Sequence, residues 1–163
     1  MTSARTLQLP DAPVLVTRAR DGLLMFPDGE VREFTAGTAK SAVEPPVIQC
    51  HSRATASRLG LKPVPGFDVL ELFAFVRPGE FCLPTVRGIA TATGIKTPET
   101  MIEDGVALIE ATRALLNEVM SWQDGDIRHA RAIAHVLERA GWSWGPSVLA
   151  AIGADPDEGG IGL

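Results

Sequence analysis

"PPVIQCHSRATASRLG", residues 45–60, is the stretch on which the fold turns. Two prolines lead into Val47 and Ile48, which read as a short buried strand over 46–50, and the apolar run ends at His51. From about residue 53 the spacing becomes helical: Ala56 and Leu59 share one face, and Gly60 closes the segment. A strand that delivers a histidine and a polar residue to the mouth of a helix is a common way to build a catalytic edge. The chemistry such an edge performs depends on which side chains stand along it.

Upstream, the pattern is all strand. PVLVT (13–17), GLLMF (22–26) and EVREFT (30–35) are short apolar runs, the last two joined by Pro27-Asp28-Gly29, whose glycine tolerates positive φ. They predict a three-stranded antiparallel meander. Val31 and Phe34 break strict alternation, so the third strand is expected to bulge or end early. Residues 36–44 are open between loop and a short helix ended by Pro45.

Downstream, strand and helix alternate, and then helices alone follow. FDVLELFAFVR (67–77) reads as strand passing into helix, stopped by Pro78-Gly79, and 84–94 as a helix from Pro84 to Gly94. The clearest helix is 98–121, with Thr97 as cap, Pro98 first, and an apolar stripe of Ile102, Val106, Ile109 and Leu116. A further helix spans 126–140, and GWSWGP leads into a short last one, with Trp142 and Trp144 expected to anchor it. This order defines an α/β fold with a mixed sheet of about five strands, the first three antiparallel and the 46–50 strand parallel to the first. The expected organisation is an α/β domain over 1–121, a helical extension or connector over 122–155, and a flexible end at 156–163.

The 163 residues suffice for a domain with a substantial core, and 45 % hydrophobic with 21 % charged residues is a globular balance. No apolar run approaches the roughly 18 residues of a membrane span. The N-terminus lacks a signal-peptide core, so a cytoplasmic location is expected. A net charge of −5 argues against a surface devoted to nucleic-acid phosphates, while leaving room for a local patch. Cys50 and Cys82 lack a metal-binding spacing and read as buried free thiols. His129 and His135, six residues apart, do not form a metal pair, and His51 at a strand end reads as a hydrogen-bonded structural histidine.

The order of elements resembles an RNase H-like fold, and the spacing resembles its DEDD-type 3′–5′ exonuclease branch. In "VLVTRARDGLLM", Thr17 and Ala19 stand where that branch carries acids, and Asp21-Gly22 is expected to make the turn. In "VIQCHSRATASRL", His51 is kept and Ala56 falls at the aspartate position. Asp68, Leu70 and Leu83 match the next motif, and near "IEATRALL" Glu103 takes the place of the last histidine and Leu108 that of the last aspartate. More specifically, "FDVLELFAFVRPGEFCLPTVRGIA" and "WSWGPSVLAAIG" resemble the N-terminal region of bacterial DinG-like ATP-dependent DNA helicases, over roughly residues 13–150.

Two-metal phosphodiester hydrolysis needs carboxylates to hold two divalent ions about 4 Å apart. Thr17, Ala19, Ala56 and Leu108 offer none, so the resemblance implies a catalytically inactive domain without a cofactor of its own. No GxxxxGK[ST] loop occurs, so ATP and Mg²⁺ belong to a downstream helicase motor in the same parent chain. The implied role is in DNA repair, positioning single-stranded DNA or the motor, with Arg18, Arg20, His51 and Arg53 as candidate DNA contacts and no membrane partner. Two alternatives stay open: a protein-interaction module indifferent to DNA, and an active 3′–5′ exonuclease using other ligands. A basic groove over the vacated edge favours DNA, and an exposed apolar patch favours a protein.

Overall fold

The computed structural model describes residues 4–153; the expected flexible end at 156–163 lies outside them. The chain divides into two compact units, one of Pro10–Thr112 and one joining the segment up to Leu9 with Arg113 onward. The boundary between these units lies within a long helix, between Thr112 and Arg113.

The first unit is built on five strands: β1 (Val14–Arg18), β2 (Asp21–Met25), β3 (Val31–Thr35), β4 (Val47–Gln49) and β5 (Gly66–Asp68). Their order across the sheet is β3-β2-β1-β4-β5. β1–β2 and β2–β3 are antiparallel and β1–β4 is parallel, as the sequence pattern predicts, and β4–β5 is parallel as well. Leu15 and Leu24 face each other across β1–β2 and join a buried cluster with Val47. Ala39 of α1 (Ala39–Ala42) and Leu59 of α2 (Ser52–Leu59) complete that cluster, so these helices cover one face of the sheet. Met25 points to the opposite face, where Gly105 of α5 (Met101–Met120) comes so close that a Cβ there would lie 3.0 Å from the methionine methyl. Between them in sequence lie α3 (Val69–Val76), which follows β5 without a break, and α4 (Val86–Thr93).

Four local expectations are corrected. Asp21-Gly22 does not make the first turn. Arg18 pairs with Asp21, so Ala19-Arg20 form the hairpin loop and Ala19 takes φ +51. Gly22 is held inside β2 because the ring of Phe34 lies where its Cβ would be, 2.4 Å away. β3 neither bulges nor stops early: its register with β2 runs unbroken from Val31 to Thr35.

At α5 the start lies three residues later than Pro98, and the cap is Thr100, whose Oγ1 accepts the Glu103 amide at 3.1 Å. Glu103 reaches back to accept from the Glu99 amide at 2.6 Å, a bond that holds its carboxyl below the usual range. The buried stripe of α5 is also rotated from the expected one. Asp104, Leu108, Ala111 and Leu115 face inward, whereas Ile102 and Val106 are exposed and Leu116 alone of the expected four is fully buried.

The second unit contains α6 (Asp124–Arg139) and α7 (Gly145–Ile152), with Trp144 wholly buried and Trp142 half-buried. The Arg5 guanidinium donates to the carbonyls of Met120 and Trp122 at 2.6 and 2.9 Å. The Thr6 amide donates to the Ala150 carbonyl at 2.9 Å. Among the described residues no helix is long and apolar enough to cross a membrane.

Candidate nucleic-acid interface

β1 and β4 are parallel neighbours whose onward connections leave in opposite directions, β1 toward β2 and β4 through α2 toward β5. That arrangement leaves a crevice outside their carboxyl ends, where open α/β sheets place ligands. A cleft of about 190 Å³ lies there. It is smaller than the few hundred Å³ that a drug-sized molecule needs, and suits a compact group such as a phosphate. Thr17 and Arg18 supply the β1 side, Cys50 and His51 the end of β4, and α2 adds buried Thr55 and exposed Arg58. The start of α4 closes the cleft with Thr85 and Arg87, and Asp104 reaches in from α5.

His51 is the pivot of the β4–α2 turn. It adopts φ +57, a left-handed conformation that costs a non-glycine residue about 1–2 kcal/mol. The hydrogen bonds it makes there offset the strain. Its Nδ1 accepts the Ala54 amide at 3.0 Å as the cap of α2, and its carbonyl accepts from Thr55. With Nδ1 so engaged, the neutral ring carries its proton on Nε2. Asp68, at the end of β5, secures the turn from the other side. Its Oδ1 accepts from the amides of His51 and Leu70, and its Oδ2 from that of Ser52, at 2.9–3.1 Å. One carboxylate thereby caps α2 and α3 together, and the structural reading of His51 holds.

Arg18 and Asp104 form the second fixed element. Nε and Nη2 of Arg18 bond the two oxygens of Asp104 at 2.7 and 3.0 Å, and Nη1 bonds the Glu99 carbonyl at 2.7 Å. The Asp104 hydrogen bond raises the guanidinium pKa further above its ordinary value. Asp104 is 5 % exposed, so its charge relies on that partner. We expect Arg18→Ala to cost about 2 kcal/mol in urea unfolding, below the 3–5 kcal/mol of fully buried pairs because the Arg18 side chain is 41 % exposed. Adding Asp104→Asn to Arg18→Ala should recover part of the loss. A double variant no more stable than Arg18→Ala would show that charge is not the cause.

The remaining cations are free to meet a ligand. Three arginines line the cleft against one carboxylate, and Asp104 is already paired. At the start of α4, Thr85 Oγ1 accepts the Gly88 amide at 2.9 Å, and the positive end of the helix backs Arg87. Both thiols are free, but only Cys50 is buried; Cys82 is half-buried. Burial pushes the Cys50 thiol far above its ordinary pKa, so it is a protonated wall of the cleft and not a nucleophile.

The structure brings together only part of the predicted set. Of the four positions expected to replace acids, Thr17 lines the cleft; Ala19 sits in the hairpin turn, while Ala56 and Leu108 are buried away from it. On α5 it is Asp104, one turn before Leu108, that reaches the edge. Of the candidate DNA contacts, Arg18 and His51 line the cleft, whereas Arg20 and Arg53 do not. Arg58 and Arg87 also line the cleft and were not among the candidate contacts. Arg58 follows His51 and Thr55 along one helical face, a signal present in the sequence, but nothing local connects it to Arg87. Among the described residues no group of three or more histidine, cysteine, aspartate or glutamate side chains is placed to hold a metal ion. No known family, characterised protein or solved structure matches the chain.

Proposed function

We propose that this chain is a catalytically silent, RNase H-like exonuclease module of a DinG-type DNA helicase, and that its cleft holds the backbone of single-stranded DNA. The observation that carries the reading is the pairing at the carboxyl end of β1. Where metal-dependent hydrolysis needs a cluster of carboxylates, Arg18 stands on the strand and engages both oxygens of the one acid lining the cleft. A guanidinium occupies the ground that a divalent cation requires, and Arg58 and Arg87 present further positive charge beside it. The order β3-β2-β1-β4-β5, with an antiparallel meander followed by parallel strands, supports the fold part of the reading. ATP hydrolysis and Mg²⁺ belong to the motor, which is the module's partner in the same parent chain.

Fluorescence anisotropy with a labelled oligonucleotide tests this. Binding should be weak and fall as salt rises, with Arg58→Ala and Arg87→Ala each lowering the slope of log K against log salt by about 0.7. Incubation of labelled single strand with Mg²⁺ or Mn²⁺ should leave it uncut. Binding that ignores salt, or cleavage abolished by Asp104→Asn, overturns the proposal.

A further inference from the structure

Phe81 is 84 % exposed and Leu83 57 %, in a loop that runs directly into the Pro84 and Thr85 wall of the cleft. Single exposed apolar residues are ordinary, so exposure alone decides nothing. This loop, however, is held at both ends. The Glu80 amide bonds the Arg77 carbonyl at 3.2 Å, just past α3, and Arg77 Nη1 bonds the Ala92 carbonyl of α4 at 2.6 Å. On the other side the Thr85 amide bonds the Leu83 carbonyl at 2.8 Å. That carbonyl also packs on Gly88, where a Cβ would lie 2.2 Å from it. The backbone fold that exposes Phe81 is therefore specified on both sides, including by a glycine within α4.

We infer that Phe81 is a stacking platform for a base of the single strand whose phosphates occupy the cleft. The inference rests on the proposed reading of the cleft. Phe81 lies three residues before Pro84, at most about 11 Å along the chain, so a few nucleotides span both features. The chemistry is complementary: arginines meet the backbone, and an aromatic face meets a base without regard to sequence. An apolar protein surface would match Phe81 and Leu83 but would gain nothing from the charge beside them.

The test separates stacking from charge by comparing labelled oligothymidylate with an abasic strand of equal length. Phe81→Ala should weaken oligothymidylate binding about tenfold, leave its salt slope unchanged, and have no effect on the abasic strand. Phe81→Trp should retain binding. An unchanged affinity for oligothymidylate, or an equal loss on both strands, overturns the stacking role even where Arg58→Ala and Arg87→Ala lower the salt slope. If the unaltered protein binds neither strand at low salt, the cleft reading falls as well.

Discussion

Gly66→Ala should be among the most damaging single changes in this chain, costing more than about 4 kcal/mol in equilibrium unfolding, the range reserved for severe steric conflict. Gly66 pairs with Val47 where β5 meets β4, and a Cβ there would lie 2.0 Å from the Val47 carbonyl oxygen and 2.7 Å from its nitrogen. Both atoms are backbone, so no side chain can rotate away. Relief requires β5 to separate from β4, which breaks the pairings of Ile48 with Phe67 and Gln49 with Asp68 as well. Gly125→Ala is the control: nothing lies within 4 Å of a Cβ in the first turn of α6, and stability should stay level or rise by up to about 1 kcal/mol. A loss below 1 kcal/mol for Gly66→Ala would mean that the strand pair can yield.

The second large effect belongs to Asp68→Ala, which we expect to cost about 3 kcal/mol. Three backbone amides, those of His51, Ser52 and Leu70, lose their acceptor at once, and each cap or unsatisfied donor is worth on the order of 1 kcal/mol. The left-handed turn at His51 loses its brace at the same time. Asp68→Asn keeps one carbonyl acceptor and turns a donor toward the other amides, so it should fall between the two. Urea titration followed by circular dichroism measures both. Equal stability of the alanine and asparagine forms would show that the caps do not carry the effect.

Much of this architecture is written in local chemistry. Pro27-Asp28-Gly29 signals a turn that forms with Gly29 at φ +91, and Gly60 ends α2 at φ +67. The alternation of strand and helix after Pro46 was enough to predict β4 beside β1. What the sequence concealed was rotation and convergence. α5 has two candidate stripes, and the more hydrophobic residues, Ile102 and Val106, mark the exposed one. The inward stripe contains small residues because Gly105 and Ala107 let the helix approach closely, a demand set by distant Met25 and not by the helix itself. Asp21-Gly22 imitates a hairpin turn, yet the need to accommodate Phe34 places that glycine inside a strand. Arg58 and Arg87 lie on separate helices, and only the assembled sheet places both on one cleft.

The bonds from Arg5 to Met120 and Trp122 and from Thr6 to Ala150 have a consequence for the order of biosynthesis. Thr6 finds its partner only when Ala150 has left the ribosome, on the order of ten seconds or more after Thr6 itself at ordinary elongation rates. Pro10–Thr112, being continuous, can close while translation proceeds. Arg5 and Thr6 therefore wait for their partners while the intervening chain is made, Arg5 until Trp122 and Thr6 until Ala150.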